Sequence, residues 1–167
     1  MNRIWKLSLV IATLILVDQF SKGAVQSSFQ LGESIEVIPN FFHLTYVRNS
    51  GAAFGFGAGS HDWFRIGMFL ALPVLACFWL LYLMWQERRG CIYLASAYAL
   101  IFSGAVGNLI DRFTLRYVVD FLDFQFGSWH FWTFNIADSA ITIGAGFLIV
   151  GLYLENKRKA LGTEVRS

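Results

Sequence analysis

Residues 108–138 read NLIDRFTLRYVVDFLDFQFGSWHFWTFNIAD. The stretch holds four aspartates, two arginines and two asparagines beside a wall of Phe, Trp, Tyr, Leu, Ile and Val, and it joins two long apolar runs. Each run is long enough for a membrane helix, so these polar residues fall where two helices meet the bilayer surface. Ionised groups there lose hydration and are usually retained for a task. The four aspartates of the stretch, Asp111, Asp120, Asp123 and Asp138, are the candidates for such a task.

Working outward, the composition is that of a membrane protein. Of 167 residues, 56% are hydrophobic, 17% aromatic and only 14% charged, with mean hydropathy +0.54. An average soluble domain carries about 25% charged residues. The length suits one domain, residues 1–167. The net charge of +2 is small and no basic tract is interleaved with exposed aromatics, so nothing points to nucleic acid. Cys77 and Cys91 lie within or beside apolar runs and read as small hydrophobes, not a disulfide.

Four runs can span a bilayer: about 4–25, 63–85, 92–110 and 137–154. A hydrocarbon core of ~30 Å needs ~20 helical residues. The first run, preceded by Arg3 and Lys6, could be a signal peptide, but Asp18 and Lys22 interrupt it and no A-x-A site follows. The remaining basic clusters are Arg88–Arg89 between the second and third runs and Lys157, Arg158 and Lys159 after the fourth. Four spans place all three clusters on one side, which the positive-inside rule makes cytoplasmic. Both termini are then inside, and segments 26–62 and 111–136 face outward.

Within the first helix Asp18 and Lys22 stand i, i+4 and can meet on one face, either as a self-neutralised pair or in a functional role. Ser21 points about 100° away from Lys22, which discounts a serine–lysine dyad. Residues 35–37 and 42–47 alternate like half-buried strands around a Pro39-Asn40 turn, so a small sheet is expected on the membrane surface. The glycine-rich stretch 48–60, RNSGAAFGFGAGS, reads as a linker or as a flexible loop over substrate. Helix two has Pro73 at its centre and is assigned packing. In helix three Ser103, Gly104 and Gly107 permit close helix approach, and Asn108 and Arg112 share a face with Asp111 beside them.

The aromatic segment 117–134 is expected to lie in the interface. A lone loop aspartate such as Asp120 or Asp123 is most often a solvated charge. Asn135 reads equally as a helix N-cap, whereas Asp138 already stands inside the helical run. His43, His61 and His130 are scattered without ligand spacing, so no metal and no cofactor is expected.

Five blocks carry a resemblance: VDQFSK at 17–22, RNSGAAFG at 48–55, GNLIDR at 107–112, VVDF at 118–121 and FNIADS at 134–139. In this order, with four apolar runs between them, the chain closely resembles the lipoprotein signal peptidases, or signal peptidase II family, over essentially its whole length. The resemblance implies an all-α polytopic membrane protein: four transmembrane helices, a small periplasmic β-sheet (the cradle) and an interfacial helix. It implies an inner-membrane aspartyl endopeptidase with its active site near the periplasmic face. The implied substrate is a prolipoprotein whose cysteine carries diacylglyceryl, cleaved just before that cysteine. Membrane lipids and globomycin-like cyclic peptide inhibitors are the other implied partners. The catalytic dyad falls on Asp120 and Asp138, with Asp18, Lys22, Asn49, Gly51, Asn108, Arg112 and Asn135 as supporting or substrate-binding positions. Trp132 stands near a spot where many members carry Pro before the asparagine block, which touches only local loop shape.

Two other classes remain open from sequence. A four-helix transporter could use Asp18 and Lys22 as a proton or ion relay, although its acids should then sit at mid-membrane. A non-enzymatic assembly factor would tolerate loss of either dyad aspartate.

Overall fold

The computed structural model describes residues 3–51, 67–127 and 129–164. Helix α1 runs Arg3–Ser28, α2 Leu72–Gln86, α3 Ile92–Thr114 and α4 Ile136–Glu164. A single π-helical turn, Gly67–Ala71, leads into α2. Four strands, β1 Ser34–Ile38, β2 Phe42–Asn49, β3 Val118–Phe126 and β4 Trp129–His130, form one antiparallel sheet in the order β1-β2-β3-β4.

Four helical stretches, Arg3–Ser28, Gly67–Gln86, Ile92–Thr114 and Ile136–Leu161, are long and apolar enough to cross a membrane. Their burial is inverted relative to a soluble bundle. Leu72, Leu75, Phe78 and Trp79 of α2 are exposed, whereas Asp18, Lys22, Asn108 and Asp111 are buried. Lipid tails are as apolar as leucine, so an outward Leu loses nothing, while a polar side chain must turn inward to find partners.

Helix α3 is central. It packs on α1, α2 and α4, and its interface with α4 is the largest between helices. That approach depends on missing side chains: a Cβ on Gly104 would land on the carbonyl oxygen of Ala137, and one on Gly107 would sit 2.6 Å from Asp18 Oδ2. At the opposite end of the bundle Arg3 donates to the carbonyls of Glu87 and Gly90 at 3.2 and 2.8 Å, which puts the start of α1 beside the α2–α3 turn.

The sheet is where expectation and structure part most. The β1–β2 hairpin forms as read, turning through Asn40 at φ 56°. Segment 117–134, expected as an amphipathic stretch at the interface, supplies β3 and β4. β3 is buried without alternation from Val118 to Phe121. On one face Val119 and Phe121 pack with Val25 and Tyr46 over the end of α1, while Asp120 lines a cavity shared with α3 and α4. A strand covered on both sides reads as an apolar run, which sequence periodicity alone does not separate from helix. No interfacial helix occurs among the described residues. Pro73 also behaves differently from expectation. It stands in the first turn of α2, where its missing N–H costs little, just after the π turn. The expected start of span two at residue 63 and the glycine-rich run 52–60 lie outside the described residues, as does His61. α4 continues past the expected end at 154, carrying Lys157–Lys159 on its extension.

Candidate active site

The first turn of α4 organises the site. The leading N–H groups of a helix have no partner within it. Asn135 caps this one: its Oδ1 accepts from Asp138 N at 2.9 Å, and Asp138 Oδ2 accepts in return from Asn135 N at 3.3 Å. This is a reciprocal capping box with Asp138 at the third helical position. Sequence places Asp138 simply inside the helical run; in the structure it is part of the cap itself. Asp18 reaches across from α1, and its Oδ1 accepts from Ala137 N at 2.8 Å. Both carboxylates lie at the positive end of the helix dipole, which favours negative charge.

Lys22 holds the next layer. Its ammonium lies 2.8 Å from Asp18 Oδ2 and 3.0 Å from Asp111 Oδ2, and it donates to Asn108 Oδ1 at 3.0 Å. All three of its N–H bonds therefore have a partner. The Lys22 contact fixes the Asn108 amide, because the oxygen must face the ammonium. The Asn108 Nδ2 then points to Asp138 Oδ1 at 2.7 Å.

Asp120 is approached from two sides. Asn135 Nδ2 donates to its Oδ1 at 2.7 Å and Asn49 Nδ2 to its Oδ2 at 3.1 Å. Asn49 is held in turn by Gly51, whose N–H donates to Asn49 Oδ1 at 3.1 Å. Arg112 lies over the Phe69 ring and reaches the carbonyls of Asn108 and Gly51 at 3.5 and 3.4 Å. Asp120 is 2% exposed. Burial, and next the charge of Asp138, push its pKa from 3.8 up to about 7, against the pull of the Asn49 and Asn135 hydrogen bonds and of Lys22. Among the described residues the ion pairs of this network are Lys22–Asp18 and Lys22–Asp111, and neither Asp120 nor Asp138 belongs to one.

Asp120 and Asp138 open onto one cavity of about 1110 Å³, together with Asn49, Gly51, Asn108 and Arg112. Its walls are apolar, with Trp129, Phe131 and Phe134 from the sheet side and Ile141 from α4. A concave apolar site with a few convergent polar groups is the usual form of a binding pocket. Of the nine site residues expected from sequence, these six line the cavity, and Asp18, Lys22 and Asn135 stand behind them, bonded to Ala137 N, Asn108 and Asp120. Gln19 and Asp111 join them without having been singled out by sequence. Gln19 Nε2 donates to Asp111 Oδ1 at 3.0 Å and to the Gly107 carbonyl at 3.1 Å. The available signal is Asp111 at i+3 from Asn108, on the same face of a membrane helix. Asp123 reads from sequence as a solvated charge, yet it is 4% exposed. It accepts from Thr45 Oγ1 at 2.7 Å, and His130 Nε2 approaches its Oδ1 to 2.6 Å without hydrogen-bond alignment.

The fold and this cavity define a small polytopic membrane protein with buried carboxylates gathered at the sheet end of its helices. Residues 10–154 match the family described as signal peptidase (SPase) II. A lipoprotein signal peptidase of Syntrophus aciditrophicus is 43% identical over 147 residues, covering 88% of this chain and 91% of the relative. That of Haemophilus ducreyi is 46% identical over 154 residues, covering 92% of each. A solved structure, described as a bacterial membrane enzyme, superposes with TM-score 0.81 at 32% identity, covering 93% of this chain and 92% of the other. The chain belongs to the signal peptidase II family and is a multi-pass membrane protease.

Proposed function

We propose that this protein is an aspartic-type endopeptidase that removes signal peptides from prolipoproteins, with Asp120 and Asp138 as the catalytic pair. The observation that carries the reading is the shared Asn135. One side chain bonds both Asp120 and the helix turn bearing Asp138, and both carboxylates face one cavity. Cleavage falls on the N-terminal side of a diacylglyceryl-modified cysteine. The apolar walls suit a lipidated, membrane-embedded segment.

Amide hydrolysis needs a base for water and an acid for the carbonyl oxygen. Two neighbouring carboxyls on one cavity meet both needs at one pH, because desolvation and mutual repulsion keep one protonated while the other ionises. The ionised member takes a proton from water as the water oxygen bonds to the scissile carbonyl carbon. The protonated member gives its proton to the carbonyl oxygen. When the tetrahedral intermediate collapses, a proton passes to nitrogen, the C–N bond breaks, and the signal peptide leaves with a new carboxyl end. The proton belongs to the pair throughout.

The sheet end faces the periplasm and both termini the cytoplasm of a bacterial inner membrane. Membrane lipids contact the exposed apolar belt, and cyclic peptides of the globomycin kind compete for the cavity. The transporter reading loses ground because Asp18 and Lys22 are tied to fixed partners on α3 and α4, where a relay needs a free path. The deciding experiment is single-turnover cleavage of a diacylglyceryl-modified prolipoprotein by purified wild type, Asp120→Asn and Asp138→Asn. Cleavage by wild type alone supports the reading, and substantial cleavage by either variant overturns it.

A further inference from the structure

Asp111 is a buried carboxylate to which the proposed chemistry gives no part. It is 2% exposed and lies in the last turn of α3. Every group bonded to its carboxylate is a donor. Oδ1 accepts from Gln19 Nε2 at 3.0 Å, while Oδ2 accepts from the Val119 backbone N–H at 3.0 Å and stands 3.0 Å from Lys22 Nζ. Val119 immediately precedes Asp120, and its carbonyl accepts from Asn135 Nδ2 at 3.3 Å. The peptide units on either side of Val119 are thus each held, one by Asp111 on α3 and the other by Asn135 at the head of α4.

We propose that Asp111 is a positioning residue for hydrolysis: through the Val119 amide it fixes where β3 delivers the Asp120 carboxylate, and together with Asp18 it holds Lys22 beside the pair. The proposal rests on the Asp120–Asp138 reading. Only a carboxylate suits the place. It offers two acceptor oxygens to three donors, and an asparagine would turn its NH₂ on Gln19 or on Lys22 and Val119 whichever way it faced. The charge matters as well. Asp18 and Asp111 together outweigh Lys22 by one negative charge, and the site beyond them holds Arg112, Asp120 and Asp138.

The test is steady-state cleavage of a lipidated prolipoprotein across pH by wild type, Asp111→Asn, Asp111→Glu and Asp120→Asn, normalised to folded protein. A displaced carboxylate costs up to ~100-fold in rate. Asp111→Asn should therefore lower kcat by ~10- to 100-fold while KM stays within about threefold. It also removes one negative charge beside the pair while Lys22 stays paired with Asp18, which favours the ionised carboxylate, so the acid limb of the profile should move to lower pH. Asp111→Glu keeps the charge and changes the reach, so its kcat should fall while the acid limb stays in place. If Asp111→Asn does not fold, the glutamate variant alone decides: reduced kcat at unchanged KM supports the proposal and wild-type kcat overturns it. Wild-type kcat and an unmoved limb in Asp111→Asn, beside an inactive Asp120→Asn, would overturn the positioning role and leave the catalytic pair standing. A loss that normalisation to folded protein removes, or one confined to KM, would also overturn it. Activity in Asp120→Asn would remove the pair and this role together.

Discussion

Asn135 donates through Nδ2 to Asp120 Oδ1 at 2.7 Å, and the same side chain caps the helix that carries Asp138. One residue therefore sets two catalytic candidates that are 18 positions apart in sequence, 138 less 120. The two functions separate by substitution. Asn135→Ser keeps a capping oxygen and loses the donor to Asp120; Asn135→Ala loses both. Removing an N-cap costs ~1 kcal/mol, so the alanine variant should melt below the serine variant. Both should cleave poorly. Paired melting and cleavage measurements check this, and full activity in Asn135→Ser would show that the bond to Asp120 contributes nothing.

The raised pKa of Asp120 makes a prediction about stability. Its carboxyl holds a proton to about pH 7 in the folded protein, against 3.8 ordinarily. Between those values the unfolded chain binds fewer protons, so this group's contribution to stability falls as pH rises through the window. Asp120→Asn carries no titrating group there. Relative to wild type it should gain stability from about pH 4 to about pH 7 and show no further relative gain above. Melting temperatures in detergent across that range give the readout, and a pH-independent difference would contradict a buried, raised carboxyl.

Much of this is legible in the sequence because membrane helices are strongly patterned and because polar residues inside them are rare enough to stand out. Asp18, Lys22, Asn108 and Arg112 stand out on that ground, and the family resemblance gives them their place in the site. β3 cannot, since Val118 to Phe121 are buried on both faces and lose the alternation that betrays a strand. Asp123 and Asp111 are undervalued for a related reason. Sequence shows an acid near a helix end but not the donors, Thr45 and Lys22, that come from β2 and α1 far along the chain. The resemblance to a known family, not residue physics, singles out Asp120 and Asp138 from the four aspartates of 108–138.

Gly107 tests the helix packing beneath the site. A Cβ there would sit 2.6 Å from Asp18 Oδ2 and 3.2 Å from the Ala137 Cβ. Neither neighbour yields readily, because Asp18 is held by Lys22 and by Ala137 N. Gly107→Ala should therefore destabilise despite the better helix propensity of alanine, which favours it by ~1 kcal/mol. Gly146, where an added Cβ would meet nothing within 4 Å, is the matched control and should tolerate alanine. Equal melting temperatures for the two variants would contradict the close approach of α1, α3 and α4.

Topology is open to labelling. In a background with Cys77 and Cys91 replaced, Ser28→Cys at the end of α1 should react with a membrane-impermeant maleimide in intact spheroplasts. Arg89→Cys, in the α2–α3 turn, should react only after permeabilisation. The basis is the gathering of Arg3, Arg88 and Arg89 at one end of the bundle, which the positive-inside rule makes cytoplasmic. The reverse pattern would invert the protein in the membrane.

The pair itself makes the sharpest prediction. If Asp120 and Asp138 act on one water, removing either leaves the other with no partner reaction to assist. Asp120→Asn/Asp138→Asn should then be little slower than either single variant, because losses within one catalytic unit do not add. Two independently acting groups would instead multiply their losses. Asp123→Asn is the comparison. It disturbs a buried carboxylate bonded to Thr45 and close to His130, so it should lower the melting temperature while leaving most cleavage per folded molecule. Wild-type activity should rise and fall with pH, reporting two ionisations of the pair. The measurement is the single-turnover rate of all four variants on one lipidated substrate, each corrected for folded fraction. Losses in the double variant equal to the product of the single losses would show that the carboxylates work separately, and the shared-water mechanism would be wrong.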